Sequence, residues 1–154
     1  MVKINIVCVG RVKEKYFADG ISEYAKRLSK FCEFSVVEVA EENVANLNPA
    51  ATILREGKNI IPKLRGAVFA LAIEGKKYTS AAFAELLKRR IDGGAGEITF
   101  VIGGSYGLSD EVKSRAAELI SFSDMTFPHT LFRLMLTEQI YRAFCITAGT
   151  PYHK

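Results

Sequence analysis

At 154 residues the chain is long enough for one well-filled core and too short for two. Apolar residues make up 49% and charged residues 25%, which excludes a disordered protein, and no apolar run approaches the roughly 20 residues of a membrane span. The net charge of +4 permits a nucleic-acid partner without requiring one.

The opening MVKINIVCVGRVKEK has too short an apolar stretch for a signal peptide, meets Arg11 at once and offers no small-residue cleavage site. It predicts a first strand over Ile4–Val9, turned by Gly10. Tyr16, Ile21, Tyr24, Ala25 and Leu28 then recur at helical spacing, with Gly20 as a weak point. Phe34–Val39 is rich in β-branched residues and predicts a second strand. The acidic loop Glu41–Asn48 is expected to be exposed, and Asn48-Pro49 marks a helix start, with the helix running to about Ile61.

Ala67–Ile73 predicts the third strand, and Thr79 or Ser80 caps a helix with Phe83, Leu86, Leu87 and Ile91 turned inward. After a Gly93-Gly94, Gly96 loop, Ile98–Ile102 predicts a fourth strand buried on both faces. Ser109 caps the next helix, with Asp110 and Glu111 where the helix dipole favours acids. Phe122–Phe127 predicts a short fifth strand and Leu131–Ala148 the last helix. Five alternations of strand and helix mean one α/β domain, residues 1–154, with a largely parallel sheet flanked by helices.

Four segments have the residues for chemistry. Ile98–Leu108 runs a buried strand into a glycine-rich turn at the carboxyl end of a parallel strand, where α/β folds bind ligands. It has neither Walker nor GxGxxG spacing, and an ordinary tight turn is an equal reading. Ser121–His129 has Pro128 directing the chain into His129, either as an exposed backbone for ligand recognition or as a plain strand exit with His129 at the helix cap.

In the last helix Leu131, Leu134, Met135, Glu138, Tyr141, Arg142 and Cys145 share one face, while Phe132, Leu136, Ile140, Ala143 and Phe144 cover much of the rest. An outer helix has the sheet on one side only, so its second side is expected against another subunit, most simply across a two-fold axis. Glu138 and Arg142 form an i,i+4 pair, fitting either a dimer seam or a site at its edge. The tail Pro151-Tyr152-His153-Lys154 ends on aromatic and titratable groups beside that helix. Three cysteines (Cys8, Cys32, Cys145), two histidines and no CxxC argue against zinc or disulfides and fit reduced thiols in a cytoplasmic protein.

With these segments assembled, the chain resembles the RlmH family of SPOUT-class methyltransferases along its whole length. The likeness rests on VGRVKEKYFADGISEYAKRLSKF, the GK of LAIEGKK, FVIGGSYGLS, FPHTLFRLMLTEQIYRAF and PYHK, in that order. It implies a C-terminal trefoil knot, a homodimer and S-adenosylmethionine as methyl donor; no metal and no membrane partner are expected, as the cysteine and histidine spacing and the short apolar runs already suggest. It implies methylation of N3 of a pseudouridine in a hairpin of 23S (large-subunit) ribosomal RNA, on the assembled ribosome. The donor pocket is then expected from Leu71, Gly103, Gly104, Phe122, Ser123, Asp124, Met125, Thr126 and Phe127. Ala72 departs from the family, which commonly has an acid there.

For the chemistry, His129, Glu138 and His153 are candidate proton acceptors, Arg142, Arg133 and Lys154 candidate cations, and Tyr152 a stacking group. The tail is expected to face substrate and to order on ribosome binding. Arg11, Lys13, Lys15, Lys26, Arg27 and Lys30 either add phosphate contacts or are a solvated face. Competing readings are a non-enzymatic ribosome-associated factor of the same fold and a generic nucleotide-binding domain.

Overall fold

The computed structural model of the chain describes residues 1–42 and 48–154, so most of the acidic loop before Asn48 lies outside the described residues. Its elements run β1 (Lys3–Val9), α1 (Lys15–Leu28), β2 (Glu33–Val39), α2 (Pro49–Ile60) with a 3-10 turn at Ile61–Lys63, and β3 (Ala67–Lys77). They continue with α3 (Ser80–Asp92), β4 (Glu97–Ile102), α4 (Asp110–Arg115), β5 (Glu118–Ser121) and α5 (His129–Ala148). The strands form one sheet in the order β2-β1-β4-β3-β5, and every pairing is parallel. The caps are those the sequence announces: Asn48, Thr79 and Ser109 side chains accept from backbone N–H groups of Ala51, Ala82 and Val112.

Alternation along β1 and β4 sends Ile4, Ile6, Cys8, Ile98, Phe100 and Ile102 to one face, packed under α1, α3 and α5. Val7, Val9 and Val101 face the other way, against Ile60 of α2 and Val112 of α4. The three cysteines are free and buried.

Three expectations need correction. Phe122–Phe127 is not a strand: β5 spans Glu118–Ser121, and the chain then leaves the sheet. Local side-chain bonds compete with the ladder there, Ser121 Oγ donating to the Ser123 carbonyl (3.1 Å) and Met125 N–H to Ser123 Oγ (3.1 Å). β3 runs on to Lys77, but residues 72–75 loop out, so that Leu71 and Lys76 both pair with Ile120. Gly75 sits where a Cβ would lie 2.6 Å from backbone atoms of Leu119 and Ile120, which is why this crossing needs glycine.

The third correction concerns α5. It lies between α1 and α3 on the same sheet face, so its all-round apolarity is largely used within the chain. Its deepest stripe is Arg133, Leu136, Thr137 and Ile140, with Thr137 Oγ1 bonded to the Arg133 carbonyl at 2.7 Å. Leu131, Leu134, Met135 and Phe144 stay half-buried. Gly20, a weak point by propensity, is the contact that lets α1 approach α5: a Cβ there would meet Leu134 Cδ1 at 2.9 Å.

Candidate functional site

Four segments converge at the carboxyl ends of β3, β4 and β5: the looped-out residues of β3, the glycine-rich turn after β4, the exit after β5 and the first turn of α5. They enclose a cleft of about 760 Å3 lined by Leu71, Gly103, Gly104, Phe122, Ser123, Met125, Thr126, Phe127 and His129. Eight of the nine residues expected to hold a methyl donor therefore share one cavity. Asp124 does not: it is exposed and paired with Lys77 at 2.6 Å, outside the cleft.

The turn is shaped by backbone proximity. A Cβ on Gly103 would lie 2.6 Å from the carbonyl carbon and oxygen of Gly107, and one on Gly104 would lie 2.9 Å from Glu56 Oε1. Glu56 is buried beneath this turn, and Oε1 has no partner among the described residues. Desolvation pushes its carboxyl above the usual range, opposed by the Glu42 N–H. Aromatic rings form one wall, with Phe132 4.8 Å from Phe122 and 6.3 Å from Phe127.

Sequence reasoning missed Glu74 and Lys113, which line the cleft and pair at 2.6 Å. The Lys113 hydrogen bond is the main reason the Glu74 carboxyl sits below its ordinary range. A signal was present, since Glu74 directly precedes the glycine of LAIEGKK. Ala72 also lines the cleft and brings no polar side-chain atom, so the carboxylate in this stretch comes from Glu74.

A second cluster lies farther along α5. Glu138 Oε1 accepts from Arg142 Nη2 (2.6 Å), Arg142 Nε (3.0 Å) and the Tyr152 hydroxyl (2.9 Å), and Oε2 accepts from Gln139 Nε2 (3.0 Å). Arg142 Nη1 reaches His153 Nδ1 at 3.0 Å, and the guanidinium carbon lies 4.7 Å from the Tyr152 ring centre. A guanidinium only donates, so Nδ1 of His153 accepts. Burial, then hydrogen bonds with Tyr24 and Glu138, raise the Tyr152 phenol, which stays a neutral donor.

The tail is therefore packed in the free chain, contrary to the expectation that it orders on the ribosome. Gly149 at φ 71° closes α5 in a Schellman turn, with Thr150 N–H on the Cys145 carbonyl (3.0 Å) and Gly149 N–H on that of Ile146 (3.2 Å). The turn sends Tyr152 back edge-on to Tyr141 at 4.9 Å. Gly149 and Pro151 together were the sequence signal for this reversal.

The structure brings Glu138, Arg142, Tyr152 and His153 together but leaves His129 apart. His129 is the first residue of α5 rather than its cap, nine positions before Glu138, or about 13 Å along the axis. Arg133 is no surface cation: it is 2% exposed, ion-paired with Glu38 at 2.6 Å and bonded to the carbonyls of Val9 (3.4 Å) and Gly10 (3.1 Å). A charge so buried is held by partners that phosphate would have to displace. On α1, Arg27 pairs with Glu23 at 3.1 Å and its guanidinium carbon lies 5.2 Å from the Tyr24 ring centre.

The family model described as "Predicted SPOUT methyltransferase" matches residues 2–153. The chain belongs to the SPOUT methyltransferase family. It is 52% identical to a Levilactobacillus brevis protein named Ribosomal RNA large subunit methyltransferase H, over 99% of this chain and 100% of that one. It is 48% identical to a Streptococcus uberis protein of the same name, with the same coverage. Its fold is similar to that of a probable methylase family protein from Haemophilus influenzae Rd KW20, at TM-score 0.56 and 11% identity, covering 99% of this chain and 70% of that one.

Methyltransferases of the SPOUT family take their methyl group from S-adenosylmethionine, and the cleft suits such a donor. It pairs apolar and aromatic walls for a base with a glycine turn whose backbone is open to approach, and it lies within the size range of ligand pockets. Among the described residues, no helix is long and apolar enough to cross a membrane.

Proposed function

We propose that the chain is an S-adenosylmethionine-dependent methyltransferase that methylates N3 of a pseudouridine in large-subunit ribosomal RNA, on the assembled ribosome and as a homodimer. The observation that carries this reading is the full-length identity, about half of all positions, to proteins named for methylation of that RNA. The cleft supports it, with Leu71, Gly103, Gly104 and the exit residues Phe122, Ser123, Met125, Thr126 and Phe127 holding the donor mainly through backbone. Asp124 acts at most by pairing with Lys77 and keeping the exit loop in place. The knot accompanies this reading as a family trait.

When bound, the donor supplies an electrophilic methyl group on a sulfonium. The chain's residues do the rest, and positioning is the largest part, worth roughly 7–11 kcal/mol in favourable cases. The nucleophilic nitrogen must shed its proton before it accepts the methyl carbon. Of the three candidate acceptors, Glu138 is the least available, because four donors already engage its carboxylate. His129 lines the donor cleft and is the best placed to hold that proton. Arg142, His153 and Lys154 hold RNA phosphate or base edges, while Tyr152, expected as a stacking group, has its ring against Arg142 and Tyr141 and so keeps the cluster in place.

Distance supports the dimer. Arg142 is thirteen positions beyond His129, about 20 Å along α5, and the packed tail lies at that far end rather than over its own chain's helix start. A partner related by a two-fold axis brings its tail cluster to that cleft. Leu134 and Met135 help line a groove of about 400 Å3 between α1, α3 and α5 that such a partner would cover.

The test is a chain ended at Gly149, assayed with S-adenosylmethionine by calorimetry and with ribosomes by mass spectrometry of the RNA. Donor binding is expected to persist and methylation to vanish. Full methylation by the truncated chain removes the tail from the reaction, and absence of donor binding by the intact chain removes the reading as an enzyme.

A further inference from the structure

Gln139 holds a place in the tail cluster to which neither its residue type nor the family likeness assigns a role. Its amide spans two elements: Oε1 lies 2.8 Å from Ser80 Oγ, and Nε2 lies 3.0 Å from Glu138 Oε2. The polarity of this chain follows from the groups themselves. A carboxylate only accepts, so the amide nitrogen faces Glu138 and the amide oxygen accepts from the Ser80 hydroxyl.

Ser80 is the first residue of α3, next to the Thr79 cap, and so is a fixed point. Glu138 is not fixed in itself, because its carboxylate turns easily about its last torsion. Arg142 and Tyr152 all bind Oε1; among the described residues only Gln139 binds Oε2. With both oxygens engaged, the carboxylate plane is set and so are the directions in which Arg142 and Tyr152 are held. Neighbouring residues on a helix do not face each other, so Ser80 is what keeps Gln139 turned toward Glu138.

We propose that Gln139 is a positioning residue that ties the Glu138–Arg142–Tyr152–His153 cluster to the start of α3 and so aims the tail at substrate RNA. This rests on the reading of the tail as substrate-facing. Without Gln139 the cluster keeps its ion pair but loses its orientation.

The variants are Gln139→Leu, the isosteric Gln139→Glu, Ser80→Ala and Ser80→Thr, each in the full-length protein. Four readouts apply: carboxypeptidase Y trimming of the C-terminus without RNA, thermal melting, S-adenosylmethionine affinity, and kcat and KM with ribosomes. Both Gln139 variants are expected to be trimmed several-fold faster and to lose roughly tenfold in kcat/KM for ribosomes, the size of one hydrogen bond to a charged group. Melting temperature falls by at most roughly 3–6 °C, the effect of one such bond on a chain of this size, and donor affinity stays at its wild-type value. Ser80→Ala falls between, and Ser80→Thr, which keeps the hydroxyl, restores both trimming and turnover. Unchanged trimming overturns the proposal, as does a drop in melting temperature and donor affinity parallel to the loss of activity. Full methylation by Gln139→Leu, with the Gly149 truncation inactive, overturns the proposal and leaves the tail's role standing. Full methylation by both overturns the tail's role and the proposal with it.

Discussion

Replacing Gly103 with alanine puts one methyl group into the glycine-rich turn that lines the cleft proposed to hold the donor. The added carbon would lie 2.6 Å from the carbonyl carbon and oxygen of Gly107, about 0.8 Å short of the 3.4 Å at which ordinary contact begins. Neither atom belongs to a side chain that could swing aside. The turn is closed by Gly107 N–H on the Gly104 carbonyl (3.1 Å), and Gly107 already has φ +90°. Relief must come from opening the turn, at the usual overpacking cost of about 1–3 kcal/mol. For a chain of this size, about 2 kcal/mol corresponds to a melting temperature roughly 4–8 °C lower. Opening the turn also displaces the backbone that faces the cleft, so donor affinity is expected to fall at least about tenfold, or 1.4 kcal/mol. Differential scanning fluorimetry and calorimetry with S-adenosylmethionine measure the two effects. Gly96→Ala is the control, since a Cβ there meets nothing within 4 Å and the residue is not left-handed. Wild-type affinity and melting in Gly103→Ala, or equal damage from Gly96→Ala, would refute the contact argument.

Arg133→Met is expected to cost about 2–4 kcal/mol in urea unfolding, because the Val9 and Gly10 carbonyls lose a charged donor while Glu38, partly exposed, turns to water. A loss below about 1 kcal/mol would mean that burying the guanidinium costs as much as its bonds return. Burial pushes the Cys8 and Cys32 thiols up to about 12 from 9.0, with Arg133 partly opposing the shift at Cys8. The unfolded chain then releases these protons first, so their contribution is complete below about pH 9 and is lost as pH rises toward 12. Melting temperature should fall across that window, with a shallower slope in a Cys8→Ala, Cys32→Ala variant; an identical slope contradicts the assignment. Leu134→Asp should shift sedimentation from dimer to monomer, and it is a better probe than Tyr141, which is buried within the chain. An unchanged dimer would place the seam elsewhere.

Local chemistry made most of the fold legible in the chain. Period-two alternation, three side-chain caps and the Gly149-Pro151 stop are contests each residue settles with its near neighbours, so reading them in order reproduces nearly every element. The failures were non-local. Residues 122–127 have the composition of a strand, but pairing needs a free neighbouring edge, and Ser121 and Ser123 form local turns instead. The use of α5's apolar surface depends on α1 and α3 lying either side of it, which no periodicity records. Arg133 has the same residue type as Arg142, yet one is sealed against β1 and the other holds the tail.

The same division runs through the site. Glycines, aromatic residues and the EQ-to-YHK run could be picked out from residue types and family likeness alone, because they sit in short segments whose chemistry is local. That eight of the nine residues expected to hold the donor share a cavity, that Asp124 pairs outside it, and that His129 stands about 13 Å along the helix from Glu138 are facts of relative placement. Packing of distant segments decides such placement, through contacts such as Gly75 on β5, Gly20 on Leu134 and Ser80 on Gln139. Those contacts join residues up to 114 positions apart.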